Sequence, residues 1–552
     1  MTYALEKMPV YQRAIAKAHL GSCGARYDQL GKPVVAVVNT WNEIVPGHCH
    51  LRELAIEVKQ GIEEAGGYPL EFNTIAICDG IAQGHRGMHY VLPSRDLIAD
   101  SIEAMIIGHG IFDAMVLIGS CDKIVPGLLM AAARLNIPAI VVTGGPMINE
   151  IKPWQSKEAR QRFLKGEISE AELFDITLDY YPTAGVCPFL GTANTMCLIT
   201  EALGMSLSGS ATAPAQSTAR KNFAYKSGQA IMRLLTQNIR PRDIMTQKAF
   251  HNAITLVAGI GGSLNSILHI PAIAHECGLA VGYQDFDQIS RRTPLIVRVS
   301  PNSPEYTVAD LDPLGGIPAI MKELFPVLQP DVMTVDGRML VELLDQAPQG
   351  DGEIIRSFSN PFAPEGGIAV LSGNLAPAGA VVKSSAVPPE LWIFSGLARV
   401  FESEEACTQA VEAGQIQTGD VLVIRNEGPK GGPGMREMHR ITELIVKLKN
   451  VAVITDGRFS GASAGLSIGY LSPESADNGP IAFVKSGDRI EINIHQRLLH
   501  WDIGDSELAQ RRRCHRYSNN NEKSAFLQLY AHSTASAANG AVRRNLRQLE
   551  VK

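Results

Sequence analysis

A thiol, a carboxylate and an amine stand in a row at Cys121-Asp122-Lys123, directly after the apolar run AMVLIGS. A carboxylate suits a hard ion such as Mg²⁺, and a thiolate suits iron or zinc. Two further carboxylates, Asp79 in CDGIAQGH and Glu427 in NEGPKGGPGM, lie in equally glycine-rich turns. Glycine in such turns lets the backbone approach a ligand closely. The nine cysteines are Cys23, Cys49, Cys78, Cys121, Cys187, Cys197, Cys277, Cys407 and Cys514. Their number is odd, they are scattered, and no CxxC pair occurs. That pattern argues against a disulfide framework, a zinc ribbon and a thioredoxin-type motif. Taken singly, a cysteine is a small buried hydrophobe and an Asp–Lys pair a surface ion pair. Taken together, these residues read as a metal-dependent enzyme, with or without an iron–sulfur cluster, and they do not name its reaction.

The elements that must position them alternate along the first third of the chain. VVAVVNT, EFNTIAI, FDAMVLIGS and IPAIVVTGG read as buried strands. HLRELAIEVKQGIEEAGG, SRDLIADSIEAMIIGHG, with Ser94 as N-cap, and PGLLMAAARLN, opened by Pro126, read as the helices between them. Strands alternating with helices predict an α/β fold with a mostly parallel sheet. In such sheets ligands gather beyond the carboxyl ends of the strands, which is where the polar segments fall. Residues 150–180 are charged and helical and read as a surface excursion; helices dominate from Asn194 to about Phe325. From Asp351 the texture changes to Gly, Pro, Ser and Ala, followed by short β-branched runs. Two domains are expected: residues 1–365, α/β and carrying most of the candidate ligands, and 366–552, β-rich and carrying Glu427 and Ser460.

With 45% hydrophobic and 19% charged residues, the composition is that of a globular protein. A net charge of −6 excludes the basic surface that nucleic acid or an anionic membrane would favour. The start of the chain lacks the apolar core of a signal peptide, and no run is long enough to span a membrane. A soluble, cytoplasmic protein acting on a small molecule is expected.

The motifs themselves say more. NTWNEIVPGHCHLREL, EFNTIAICDGIAQGHRGMHYVLPSRDLIADS, CDKIVPGLLMAAARLNIPAI, GTANTM, EGPKGGPGM and TDGRFSGASAGLSIGYLSPESADNGPIA resemble the dihydroxy-acid/phosphogluconate dehydratase family, in order from about residue 30 onward. The resemblance implies an N-terminal α/β domain, a C-terminal β-barrel-like domain, and a homodimer or homotetramer. It implies a hydro-lyase that converts a 2,3-dihydroxy acid of the 2,3-dihydroxyisovalerate type to a 2-keto acid in branched-chain amino-acid synthesis. A dehydratase of sugar acids (aldonates) is the alternative. A non-catalytic homologue is disfavoured because the motif residues are retained. Asp79, Asp122, Lys123 and Glu427 match the family's Mg²⁺ ligands, with Lys123 carbamylated. Cys121 and Cys187 match cluster cysteines, and Ser460 in GRFSG matches the catalytic base. GGSLN, with Gly262, Ser263 and Asn265, resembles a substrate-proximal segment.

The chain departs from the family's [2Fe–2S] pattern in one place. Those members carry Cys directly after Pro in the first motif, where this chain has Gly47. Members that also read VPGH are associated with a [4Fe–4S] cluster, so that cluster is favoured here and [2Fe–2S] is the alternative. Cys49 is the expected third thiolate and Cys78 the alternative. His48, His50, His85 and His89 are expected to make orienting hydrogen bonds rather than to bind metal. The other cysteines are expected to be structural.

Overall fold

In a computed structural model of the chain, residues 3–438, 440–445, 448, 450–459, 465–515 and 522–544 are described. The first sheet is built from the apolar runs of the N-terminal third: β1 (Val34–Asn39), β2 (Tyr68–Asn73), β3 (Ala114–Ile118) and β4 (Ala139–Val142). All pair in parallel, in the order β2-β1-β3-β4. Every residue of β1, β3 and β4 is buried, as expected of parallel strands covered on both faces. β2 lies earlier than EFNTIAI predicts. Its ladder with β1 ends at the pair Asn39–Asn73, where β1 ends and leaves residues 74–78 without a partner strand. Those residues run on toward Asp79.

The helix after β2 spans Met88–His109 and begins six residues before Ser94. Met88, Val91 and Leu92 are buried and extend its apolar face toward the N-terminus. Ser94 therefore lies inside the helix, where its hydroxyl donates back to the Val91 carbonyl instead of capping. The helix after β3, Ile124–Leu135, holds Pro126 in its first turn, where no backbone N–H is needed. Helices Leu51–Glu64 and Thr218–Gln237 cross at two glycines. A Cβ on Gly61 would lie 2.1 Å from the Tyr225 carbonyl oxygen, and one on Gly228 would lie 2.2 Å from that of Val58. The charged stretch forms helices Pro153–Leu164 and Glu170–Tyr180, with much of their surface exposed. Further helices, including Thr192–Ala202, Gln247–Ile260 and Ser266–Glu276, complete the N-terminal half.

The second sheet has eight strands: β5 (Ala369–Leu371), β6 (Ala380–Val382), β7 (Ile393–Phe401), β8 (Asp420–Ile424), β10 (Ala452–Thr455), β12 (Leu466–Gly469), β13 (Arg489–Asn493) and β14 (Leu498–Trp501). Its order is β14-β13-β7-β8-β10-β12-β6-β5, and the two edges approach one another. Ser372, next after β5, forms a parallel bridge with Leu498, its N–H donating to the Arg497 carbonyl and its carbonyl accepting from the Leu499 N–H, both at 2.9 Å, making the sheet barrel-like. Gly373 permits this closure, since a Cβ there would lie 2.1 Å from the Leu499 carbonyl oxygen. Two short strands, β9 (Glu437–Met438) and β11 (Arg458–Phe459), pair in parallel outside the barrel. After the barrel, helix Ala525–Ser533 and the turn Ala537–Asn539 return to the N-terminal half, where Gly540 packs against helix Ser266–Glu276. Among the described residues, no helix is long and apolar enough to cross a membrane.

Candidate functional site

The carboxyl ends of β2 and β3 deliver the first two ligand candidates. Asp79 opens a short helical turn beyond β2, and Asp122 precedes the helix Ile124–Leu135, at whose N-cap Lys123 stands. The third carboxylate comes from the other half of the chain, on β9. Oxygens of Asp79, Asp122 and Glu437 all lie within 4.8 Å of one another. Glu437, not the expected Glu427, completes the group. Glu427 is turned to a different partner: Arg436 donates to it at 2.7 and 3.0 Å, and the Glu404 backbone N–H donates at 2.9 Å. The register of β9 and β11 places Glu437 beside Arg458, which donates to it at 2.6 Å.

Three carboxylates at this spacing, with Asp122 and Glu437 buried and Asp79 half-buried, repel one another unless a cation compensates them. Burial, and then the neighbouring Asp122, push the Asp79 carboxyl up to about 7. Burial would raise Asp122 too, but Lys123, His269 and Arg458 hold it below the usual carboxylate range. Lys123 is fully buried; burial and then Arg458 lower its pKa, and its Nζ contacts an Asp122 carboxylate oxygen. The donor set is oxygen-rich and anionic, which fits a hard divalent ion.

The thiols lie beside this group. Burial raises the Cys121 thiol well above its ordinary pKa, and Asp79, Cys187, Cys78 and Cys197 add to the rise. Burial, then Asp79 and Cys78, push Cys187 up to about 12. Cys187 arrives through a parallel bridge between Val186 and Pro146, beyond the end of β4. The third thiol near Cys121 and Cys187 is thus Cys78, while Cys49 is exposed and its S–H donates to the Pro46 carbonyl at 3.4 Å. Cys49 directly follows His48, whose ring faces inward, so its own side chain is turned to solvent. Gly47 keeps open the space against Cys121, because a Cβ there would lie 2.7 Å from the Cys121 sulfur. Thiols grouped in this way fit an iron–sulfur group. Cys197 lies deeper and donates to the Ser120 carbonyl at 3.2 Å.

The histidines of the motif loops bond to backbone. His48 Nε2 accepts from the Cys121 N–H at 3.1 Å, and its Nδ1 meets the Thr40 carbonyl at 2.9 Å. His50 contacts the Gly144 carbonyl at 2.9 Å, His85 that of Ile81 at 2.9 Å and His89 that of Pro433 at 2.9 Å.

The GGSLN segment lies one layer behind the carboxylates. Asn265 donates to Glu437 and, at 2.9 Å, to Thr192; its oxygen accepts from Arg458 at 2.9 Å and from the Tyr470 hydroxyl at 2.9 Å. Ser263 shares a 2.7 Å hydrogen bond with Thr192, and its N–H donates to Thr195 at 3.1 Å. Gly262 packs beneath, where a Cβ would lie 3.1 Å from the Thr195 methyl. Ser460 falls outside the described residues. Sequence reasoning missed Glu437, Arg458, His269, Thr192 and Tyr470 as individual residues. Thr192 and Arg458 lie inside quoted motifs, GTANTM and TDGRFSG, and Glu437 two residues beyond EGPKGGPGM.

Comparison with known proteins accounts for nearly the whole chain. Residues 32–343 match the model for the dihydroxy-acid/6-phosphogluconate dehydratase N-terminal domain, and residues 353–541 match that for its C-terminal domain. The chain is 46% identical over 544 residues to dihydroxy-acid dehydratase of Dehalococcoides mccartyi strain CBDB1, covering 96% of this chain and 98% of the relative. It is 47% identical over 545 residues to dihydroxy-acid dehydratase of Acetivibrio thermocellus, covering 97% and 98%. It is 46% identical over 547 residues to dihydroxy-acid dehydratase 1 of Methanosarcina acetivorans, covering 96% and 98%.

Proposed function

The chain belongs to the dihydroxy-acid/6-phosphogluconate dehydratase family, and on that premise we propose that it dehydrates a 2,3-dihydroxy acid of the 2,3-dihydroxyisovalerate type to a 2-keto acid. The reading is carried by one juxtaposition: a group of three carboxylates beside the thiols of Cys78, Cys121 and Cys187. We assign Mg²⁺ to Asp79, Asp122, Glu437 and a carbamylated Lys123, and a [4Fe–4S] cluster to Cys78, Cys121 and Cys187. Burial favours the neutral form of the Lys123 amine, which is the form that adds to CO₂ with loss of a proton. Bound there, the two groups supply Lewis-acid chemistry toward the oxygens of a hydroxy acid.

The residues of the chain carry the rest. Arg458 and Asn265 hold the Glu437 carboxylate in place from behind. His48, bonded to the Cys121 N–H, fixes the backbone that presents Cys121 and Asp122 together. Ser460 is assigned as the base that takes the C2 proton. That proton and the 3-hydroxyl leave as water, and the enol left behind becomes the 2-keto acid. The enzyme would act in branched-chain amino-acid synthesis in the cytoplasm, as a homodimer or homotetramer.

The test is keto-acid formation by anaerobically purified protein with Mg²⁺. Turnover of 2,3-dihydroxyisovalerate well above that of aldonates and 6-phosphogluconate is expected. Preference for a sugar acid would overturn the substrate, and no turnover of any would overturn the enzyme.

A further inference from the structure

We propose that His269 is a positioning residue for Asp122, and that Arg95 orients its ring from behind. The inference rests on the reading that Asp122 binds a divalent cation.

His269 lies in the first turn of helix Ser266–Glu276, which packs on helix Ile124–Leu135 directly behind the carboxylates. The ring is fully buried. Its Nε2 faces Asp122 Oδ1 at 3.6 Å and makes no hydrogen bond elsewhere. Its Nδ1 faces Arg95 Nη1 at 3.4 Å. A guanidinium has donors only, so Nδ1 must be the acceptor of this pair. In a neutral imidazole the single proton then sits on Nε2 and points at Asp122. Arg95 thus selects the tautomer.

Arg95 is itself held in place. It is fully buried, donates to Asp96 Oδ2 at 3.1 and 3.3 Å, and donates to the Ala541 carbonyl at 2.9 Å. Asp96 balances its charge, so the guanidinium serves as a fixed donor beside the ring. On its far side Asp122 meets Lys123 through Oδ2. The carboxylate is therefore flanked at both oxygens, by His269 at one and Lys123 at the other. The Nε2–Oδ1 separation is longer than a formed hydrogen bond, and a movement of well under 1 Å closes it. Histidines and carboxylates around metal sites commonly gain affinity from such outer partners, whose loss costs about 10–100-fold.

A purely structural ring makes a different prediction, and three substitutions separate the two. His269→Gln retains a donor at the reach of Nε2. His269→Asn can meet Arg95 but cannot reach Asp122. His269→Leu fills the volume without a donor. The full chain would be purified anaerobically, with Mn²⁺ as the spectroscopic probe for the cation and iron and sulfide content as the control. We expect His269→Leu and His269→Asn to bind Mn²⁺ about 10–100-fold more weakly with iron content unchanged. We expect His269→Gln to stay within about threefold of the parent, half a log unit or less in Kd. If His269→Leu does not fold, the contrast between Gln and Asn carries the test. Equal Mn²⁺ affinity in the parent and His269→Asn would overturn the proposal, as would equal losses in Gln and Asn. A parent protein that binds no Mn²⁺ would overturn the metal reading itself, and this inference with it.

Discussion

Glu437→Gln is expected to weaken cation binding at least 100-fold, because it removes a charge from the three-carboxylate group. Glu427→Gln is expected to leave that binding intact. It would instead loosen the grip of Arg436, at a cost of about 1–3 kcal/mol in stability. Mn²⁺ titration and thermal unfolding of both variants separate the two outcomes. For the thiols, Cys78→Ser should lose cluster iron while Cys49→Ser keeps it, since Cys78 lies near Cys121 and Cys187 and Cys49 faces solvent. Iron and sulfide content of the anaerobic proteins decides this, and full iron in Cys78→Ser would refute the assignment. At this scale the grouping of Asp79 with Asp122 was legible, because each stands in a polar turn beyond an apolar, strand-like run. Glu437 was not, because only the long-range pairing of β9 with β11 selects it over the more glycine-rich turn at Glu427. The choice of Cys49 also has a cause in the sequence. Cys49 stands two residues past Gly47, the position at which the resembled [2Fe–2S] members carry their Cys. Cys78, directly before Asp79, lies close enough to Cys121 and Cys187 to raise both thiols.

The crossing of helices Leu51–Glu64 and Thr218–Gln237 offers a test of element packing. Gly228→Ala would force its new methyl against the Val58 carbonyl, 2.2 Å away, and push the helices apart. A loss of about 1–3 kcal/mol in denaturant unfolding is expected. The same substitution at Gly21, where a Cβ would meet nothing within 4 Å, serves as the neutral comparison. Hydrophobic periodicity made most elements readable: β1, β3, β4 and the helix Leu51–Glu64 fall where the apolar pattern puts them. The misplacements arose where tertiary pairing overrode local pattern. EFNTIAI has the composition of a strand, yet β2 can extend only as far as β1 accompanies it. Ser94 looks like an N-cap, yet buried Val91 and Leu92 carry the helix back past it.

For the molecule as a whole, pH should act through Glu474, whose carboxylate accepts from the Lys430 and Gly431 N–H groups in the loop after β8. Burial, and then Asp456, raise its pKa from the ordinary 4.5 to about 8. The folded chain therefore holds this proton more tightly than the unfolded chain. The stability it contributes is fully present below about 4.5 and is lost as pH rises through about 8. The decline from this one proton is at most about 1.4 kcal/mol per pH unit. Glu474→Gln should flatten the fall of melting temperature between these limits, because its amide oxygen can still accept from both N–H groups. An unchanged slope would show that Glu474 does not titrate there. The architecture was legible at this scale, since alternating strands and helices followed by short β runs announce a parallel sheet and a β-rich half. The closure of the second sheet at Ser372 and Leu498 was not, because edge strands meet through backbone groups that carry no side-chain signature.

The carboxylate centre draws on both ends of that architecture, and this sets a clock on its assembly. Asp79 and Asp122 leave the ribosome more than 300 residues ahead of Glu437, which is roughly 15–70 s at ordinary elongation rates. For most of that interval the nascent chain carries Cys78, Cys121 and Cys187 but lacks the third carboxylate. The three-carboxylate group is therefore complete only once translation has passed β9.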